Sequence, residues 1–242
     1  MGRVLALVYG VVCYLIFLGT FLYAIWFVWT MDRAVEAEVP LGTAVLINAL
    51  LLGLFAVQHS IMARQWFKRA WTKIVPRPVE RSTYVLAASL ALLILIRFWQ
   101  PLPGVIWEVQ APGLALALQV LSGLGWLTVL ISTFMIDHFD LFGLKQVWKY
   151  FGNQTYDPPA FRAPGPYKFV RHPIYLGFLI AFWSTPRMTV GHLFFAVMTT
   201  AYILLAIQFE ERDLITFHGE DYKVYRSGVS MIVPWPGKKK EG

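Results

Sequence analysis

The chain has 242 residues, of which 57% are hydrophobic and only 14% charged, and its formal net charge is +7. One soluble domain of this length could not bury that much apolar surface, so the composition excludes a soluble or a disordered protein and indicates an integral membrane protein. The positive charge falls in connections beside apolar runs and comes with no base-reading motif, which assigns it to anionic lipid and leaves no role for nucleic acid.

Uncharged stretches occupy 4–31, 39–63, 82–96, 109–136, 173–186 and 188–209. A helical span needs about 20 residues, so the first, second, fourth and sixth stretches cross outright. The first is too long for a signal-peptide core and lacks a small-residue cleavage site, so it is expected to remain as a helix. Its Cys13 is the only cysteine; a lone buried thiol offers neither a disulfide nor a metal pair and reads as core. The second stretch ends at Gln58-His59-Ser60. An ionisable residue inside a span is a functional candidate, and an interhelical hydrogen bond explains His59 equally well.

The connection 64–81 carries Arg64, Lys68, Arg69, Lys73, Arg77 and Arg81, whereas 32–40 carries Arg33 against Asp32, Glu36 and Glu38. Positive connections face the cytoplasm. Alternation then leaves only Arg33, Arg97 and Arg187 outside and places both termini on the cytoplasmic side. The short stretch 82–96 crosses if Arg97 snorkels, with Phe98 and Trp99 at the interface. In 109–136, Gly123-Leu124-Gly125 lacks the strand and third glycine of a dinucleotide loop and reads as helix packing. Residues 1–136 therefore form a scaffold of four helices.

The character changes at Asp137-His138-Phe139-Asp140, and the loop 152–166 holds Gly152, Pro158, Pro159, Pro164, Gly165 and Pro166. This shaped loop leads into Tyr167, Arg171 and His172, with Pro173 fitted to the first turn of a helix. The start of that helix, together with Arg171, suits a carboxylate or a phosphate. The stretch 173–186 is short and crosses partly or fully. After 188–209, helical character continues from Glu210 to Phe217 and breaks at His218-Gly219. Successive helical residues point about 100° apart, so Glu210 and Glu211 cannot serve one ligand atom. One is expected to face a ligand and the other to brace Arg171 or another base.

The architecture expected is an all-α integral membrane protein of five to six transmembrane helices, with a C-terminal helical hairpin and cytoplasmic cofactor-binding loops. Residues 137–242 form the loop, hairpin and cytoplasmic segment, one structural unit with the scaffold. Gly237-Lys238-Lys239-Lys240-Glu241-Gly242 reads as a solvated tail. His192 reads as structural and His218 as a helix cap. No His-Glu-x-x-His or paired-cysteine spacing occurs, so no metal is expected. The glycosylation sequon Asn153-Gln154-Thr155 falls on the cytoplasmic side and carries no weight.

An arginine, an imidazole and two carboxylates at the mouth of an apolar hairpin suit a small zwitterion. An amine takes a carboxylate, a carboxylate takes arginine or helix N–H groups, and an adenine takes an aromatic slot. S-Adenosylmethionine has all of these parts, and a nucleotide or lipid headgroup has some of them. The pattern Arg171-His172-Pro173-x-Tyr175-x-Gly177, then Glu210-Glu211, then Gly219-x-x-Tyr222-x-x-Tyr225, resembles the C-terminal signature of membrane methyltransferases of the isoprenylcysteine carboxyl methyltransferase type, over about 100 residues. The likeness implies S-adenosylmethionine as cofactor, with contacts from Arg171, His172, Pro173, Tyr175, Gly177, Glu210 and Glu211, and Tyr167 leading into them. Val229-Ser230 departs from the Val-Pro often found there in that family, which touches the closing segment and not the charged groups.

Residues 137–148 (Asp137 to Trp148), with Gln58-His59-Ser60 and Glu80-Arg81-Ser82-Thr83-Tyr84, resemble the bacterial methanethiol S-methyltransferase family over nearly the whole chain. That likeness implies a small-molecule thiol as acceptor and a membrane lipid environment, that of a bacterial inner (cytoplasmic) membrane; no obligate protein partner is evident in the sequence. In-line methyl transfer to a thiol needs alignment and a base, because a thiol of pKa roughly 8.5 or above is little ionised at neutral pH. Asp137, His138 and Asp140 are the candidate catalytic bases; the competing reading makes the two aspartates braces for Arg162, Lys145 or Arg171. Methylation of a lipid or prenylated substrate is the alternative acceptor. A haem-handling or transport protein using His59 and His138 is the alternative outside enzymes.

Overall fold

The computed structural model describes residues 2–33, 36 and 39–234. Glu38 and the tail 237–242 lie outside the described residues. About three quarters of the chain is helical, in an all-α integral membrane protein with one small two-stranded ribbon among the described residues, Val105–Glu108 (β1) against Arg187–Thr189 (β2). Five helices are long and apolar enough to cross a membrane: α1 (Arg3–Thr30), α2 (Leu41–Ala63), α4 (Arg77–Phe98), α5 (Pro112–Ile136) and α9 (Val190–Gly228). The short helices are α3 (Gln65–Trp71), α6 (His138–Leu141), α7 (Leu144–Phe151) and α8 (Pro173–Trp183). At 11 residues α8 is roughly 16 Å long, about half a hydrocarbon core, so the helix by itself is shorter than a full span. The short stretch 82–96 gains most of its extra length at its start, where Pro76 and Pro78 open a helix that includes Glu80 and Arg81.

The chain divides into two compact units that interleave in sequence. The first comprises Met1–Ile106, His138–Pro158 and Met188–His192, and the second Trp107–Asp137, Pro159–Arg187 and Leu193–Gly242. In this division α5 falls with the C-terminal hairpin, and 138–158 with the preceding helices.

In the first unit, α1 packs on α4 and α7, and α2 on α4. The buried stripe of α1 is Ala6, Gly10, Cys13, Thr20, Ala24 and Val28, recurring at intervals that keep one helix face inward. Small residues on that stripe admit close neighbours. A Cβ on Gly10 would meet Val147 Cγ2 at 2.6 Å. Cys13 is buried there, as core. Buried Asn48 of α2 is satisfied by Gln100, donating from Nδ2 to its carbonyl at 2.9 Å and accepting from its N–H at 2.8 Å. His59 is engaged by the Tyr84 hydroxyl at 3.1 Å and stacks on Phe55.

In the second unit, α5 and α8 meet backbone to backbone. A Cβ on Gly177 would lie 2.7 Å from the Gly125 carbonyl oxygen, and one on Gly125 would lie 2.6 Å from the Ala181 nitrogen. Ser122 Oγ donates to the Ala181 carbonyl at 3.0 Å. Lipid gives helices no hydrophobic reason to associate, so close packing of small residues does it. Gly125, but not Gly123, fills the packing role read from the sequence; nothing lies within 4 Å of a Cβ on Gly123. Helix α9 runs on past its apolar part through Glu210 to His218 and breaks at Gly219, whose φ of 55° and ψ of −124° are open to glycine.

Candidate active site

Helix α8 starts at Pro173, whose fixed φ and missing N–H suit the first turn. The His172 carbonyl accepts the first helical N–H, from Leu176 at 3.0 Å. Ahead of it, the Arg171 N–H donates to the Ser230 carbonyl at 2.8 Å and the His172 N–H to the Met231 carbonyl at 3.1 Å. The segment after α9 thus crosses the entry to α8, anchored by buried Ile232 among Ile203 and Ile207. The N–H groups of Ile174 and Tyr175 still open the helix without an intrahelical acceptor.

Around this entry, one carboxylate organises three bases. Glu211 Oε1 accepts from Arg171 Nε at 2.7 Å and from His172 Nε2 at 3.1 Å, and Glu211 Oε2 accepts from Arg226 Nε at 3.0 Å. Its side chain is 4% exposed. Glu210, one residue earlier, is 43% exposed, with Oε2 at 3.8 Å from His172 Nδ1. The two glutamates divide as helix geometry requires: Glu211 braces, and Glu210 opens outward.

Arg171 is more committed than its sequence setting implied. Nη1 donates to the carbonyls of Arg226, at 3.1 Å, and of Val229. The expectation that Val229-Ser230 leaves the charged groups untouched is therefore corrected, although the contact is through backbone and does not depend on the side chain there. Nη2 donates to no described residue and is the part of the guanidinium that remains for an anion. Burial, then the Glu210 carboxylate, then Tyr225 push the Tyr167 phenol far above its ordinary pKa, so it stays a hydrogen-bond donor. The Tyr167 carbonyl accepts from Tyr225 O–H at 2.5 Å. His218 precedes the Gly219 break and lies with its ring 5.3 Å from Phe161.

Of the residues expected to contact a cofactor, Tyr167, Arg171, Tyr175 and Glu210 keep partial exposure, whereas His172, Pro173, Gly177 and Glu211 are buried. Gly177 faces α5, where it lets α5 and α8 approach closely. Arg226 was missed by the sequence reading. It follows Tyr225 in the motif, and the only signal for it was a basic residue beyond the Gly219 break.

The boundary between the two units falls between Asp137 and His138. Asp137 ends α5 with φ 152°, a value that L residues seldom adopt. His138 belongs to the first unit, buried, with Nε2 2.9 Å from Tyr14 O–H and its ring edge-on to Phe142 at 4.8 Å. Burial pulls its imidazole below the ordinary value, so it is neutral at pH 7. Asp140 Oδ1 accepts from Gln146 Nε2 at 3.3 Å, and the same nitrogen lies 3.3 Å from Tyr156 O–H. Burial first, and then the hydrogen bond to Asp140, push the Tyr156 phenol well up. Arg81 Nε donates to the Leu141 carbonyl at 2.7 Å. Gly143, at φ 87°, starts α7 tight against Ser82, where a Cβ would lie 2.6 Å from Oγ. Among the described residues no cluster of metal-ligating side chains occurs.

Over 242 residues the chain is 54% identical to the methanethiol S-methyltransferase of Mycobacterium tuberculosis, covering 98% of each. The chain belongs to the methanethiol S-methyltransferase family. The enzyme of that name from Crocosphaera subtropica is 48% identical over 99% of this chain and 95% of its own length. Similarity extends more weakly to human nurim, at 31% identity over 78% of this chain and 72% of nurim. No family model and no solved structure matches. Membership makes the protein a membrane methyltransferase, and both segments that carried the resemblance, Asp137 to Trp148 and the C-terminal signature, lie inside the stretches aligned with these methanethiol S-methyltransferases.

Proposed function

We propose that this chain transfers the methyl group of S-adenosylmethionine to methanethiol, giving dimethyl sulfide. The donor half is carried by one observation, the exposed Glu210 carboxylate beside an α8 entry whose Arg171 Nη2 and N–H groups suit a carboxylate. A ligand with an ammonium and a carboxylate a few ångströms apart matches that pair, and Tyr167 and Tyr175 offer aromatic faces for an adenine. The acceptor half is supported by near-full-length identity to enzymes whose name specifies methanethiol. A lipid acceptor has no comparable support.

When bound, S-adenosylmethionine supplies an activated methyl group on a sulfonium. The protein's work is to orient and to take a proton. Glu210 and Arg171 hold the two ends of the amino-acid part, while Glu211, Arg226 and His172 keep Arg171 aimed. Among Asp137, His138 and Asp140 we take His138 as the base: it is neutral, buried and able to accept the thiol proton. Asp140, shared by Gln146 and Tyr156, acts as a brace. The thiol would give its proton to the imidazole, and the freed electron pair on its sulfur would form the new carbon–sulfur bond as the methyl–sulfonium bond breaks and its electrons stay on the departing S-adenosylhomocysteine. The basic connection Arg64 to Arg81 and the arm after Glu210 are taken as cytoplasmic, where the cofactor is available.

Titration of S-adenosylmethionine into the detergent-purified protein tests the donor half. Saturable binding that weakens in Glu210→Gln supports it; absence of binding by the unaltered protein rejects it.

A further inference from the structure

Tyr222 lies in the helical arm that follows the Gly219 break, and at 1% exposure it is the largest fully buried side chain among the described residues. Residues one helical turn on share its face, and both of them have partners: the Tyr225 O–H donates to the Tyr167 carbonyl, and Arg226 Nε to Glu211 Oε2. The Tyr222 O–H is buried and meets no hydrogen-bond partner among the described residues. Its ring is packed edge-on to Phe161, with centroids 5.7 Å apart, and tilted against Tyr225 at 5.8 Å, which fixes where the hydroxyl points. A phenylalanine would supply the same volume without the cost of a buried, unpaired hydroxyl.

The hydroxyl lies in the field of Glu211, Arg171 and Glu210, the groups that frame the α8 entry. Burial first, and then the Glu211 carboxylate, push its pKa up, so it stays protonated and offers a hydrogen bond. Glu211 is already engaged: Oε1 accepts from Arg171 and His172, and Oε2 from Arg226. An acceptor that arrives with a ligand would satisfy the phenol, and Arg171 Nη2, a second donor left over at the same entry, favours an acceptor that is anionic. From this juxtaposition we propose that Tyr222 is a cofactor-binding residue, whose O–H joins Arg171 Nη2 in taking the α-carboxylate of S-adenosylmethionine. The inference rests on the reading of this entry as the S-adenosylmethionine site and names a further group within it. A carboxylate has two oxygens and accepts from both donors at once. The unpaired hydroxyl is then a cost in the free chain that binding removes.

Tyr222→Phe removes the hydroxyl and keeps the ring, so a binding role and a packing role part in sign. With detergent-purified full-length protein, the affinities for S-adenosylmethionine and for decarboxylated S-adenosylmethionine are measured for the unaltered chain and for Tyr222→Phe, alongside thermal unfolding without ligand. The expected result is S-adenosylmethionine binding about tenfold weaker in the variant, the scale of one hydrogen bond to a charged acceptor. The two proteins bind the decarboxylated compound equally, and the free variant unfolds at a temperature no lower than that of the unaltered chain. S-Adenosylmethionine bound equally well by both proteins overturns the role of Tyr222 and leaves the site in place. Equal weakening toward both compounds overturns it too, because the hydroxyl then acts elsewhere than on the carboxylate. So does a lowered unfolding temperature, because a hydroxyl without a partner in the free chain has no stability to lose. Absence of S-adenosylmethionine binding by the unaltered protein rejects the reading of the site and this inference with it.

Discussion

Glu210 and Glu211 are adjacent in sequence and opposite in environment: the first is 43% exposed, and the second is 4% exposed and bonded to Arg171, His172 and Arg226. Their substitutions should separate binding from stability. Glu211→Gln leaves two guanidinium groups without their carboxylate and is expected to cost about 3 kcal/mol, as when one partner of a buried pair is removed. Glu210→Gln should unfold at the temperature of the unaltered protein and bind S-adenosylmethionine roughly tenfold more weakly, equivalent to about 1.4 kcal/mol. Thermal unfolding and titration calorimetry on the two variants check this. A stable Glu211→Gln with intact Arg171 geometry would contradict it.

Arg171→Lys should behave as a loss and not as a conservative change. A guanidinium serves Glu211 from Nε and two carbonyls from Nη1 at once, and an ammonium cannot reproduce that fork. Hydrogen exchange should speed up at Arg171 and His172, whose N–H groups are held by Ser230 and Met231. Unchanged protection at those two positions would show that the closing segment holds without the guanidinium.

Gly177→Ala should lower the unfolding temperature. The added methyl would sit 2.7 Å from the Gly125 carbonyl oxygen and 2.8 Å from Val129 Cγ2, so α5 and α8 must part. Overpacking of this kind costs about 1–3 kcal/mol. Gly123→Ala is the control, because open space surrounds it. Equal unfolding temperatures for the two variants would remove the packing role.

The proposed role of His138 as the base sets a pH dependence. Burial depresses its pKa below the ordinary value near 6.5, so proton-accepting capacity is complete above that value and is lost as pH falls through the lower, folded one. The acidic limb of kcat should therefore lie below 6.5, and His138→Gln should abolish the limb together with most of the rate. The same sign holds for stability: nothing is lost above the unfolded value, and acidification below it disfavours the folded chain. A limb that survives in His138→Gln belongs to another group.

The long helices were legible because each is an uncharged run bounded by charge or proline, and Pro173 marked the start of α8 for a local reason, its fixed φ. Glu210 and Glu211 had to diverge by helix geometry alone. Which of them turned inward was not legible, because it depends on Arg226, which Gly219 brings back across 15 positions. The partner of His138 was equally hidden: Tyr14 sits in an apolar run where a tyrosine carries no local signal. The packing of Gly177 on α5 was not legible either, because a glycine that admits a ligand and one that admits a neighbouring helix look alike until α5 is in place.

The central claim, methyl transfer from S-adenosylmethionine to methanethiol, is tested most directly by incubating the purified full-length protein with both compounds and following two products. The account predicts S-adenosylhomocysteine and headspace dimethyl sulfide in equal amounts, both dependent on methanethiol. S-Adenosylhomocysteine formed at the same rate without methanethiol, with no dimethyl sulfide, would contradict it.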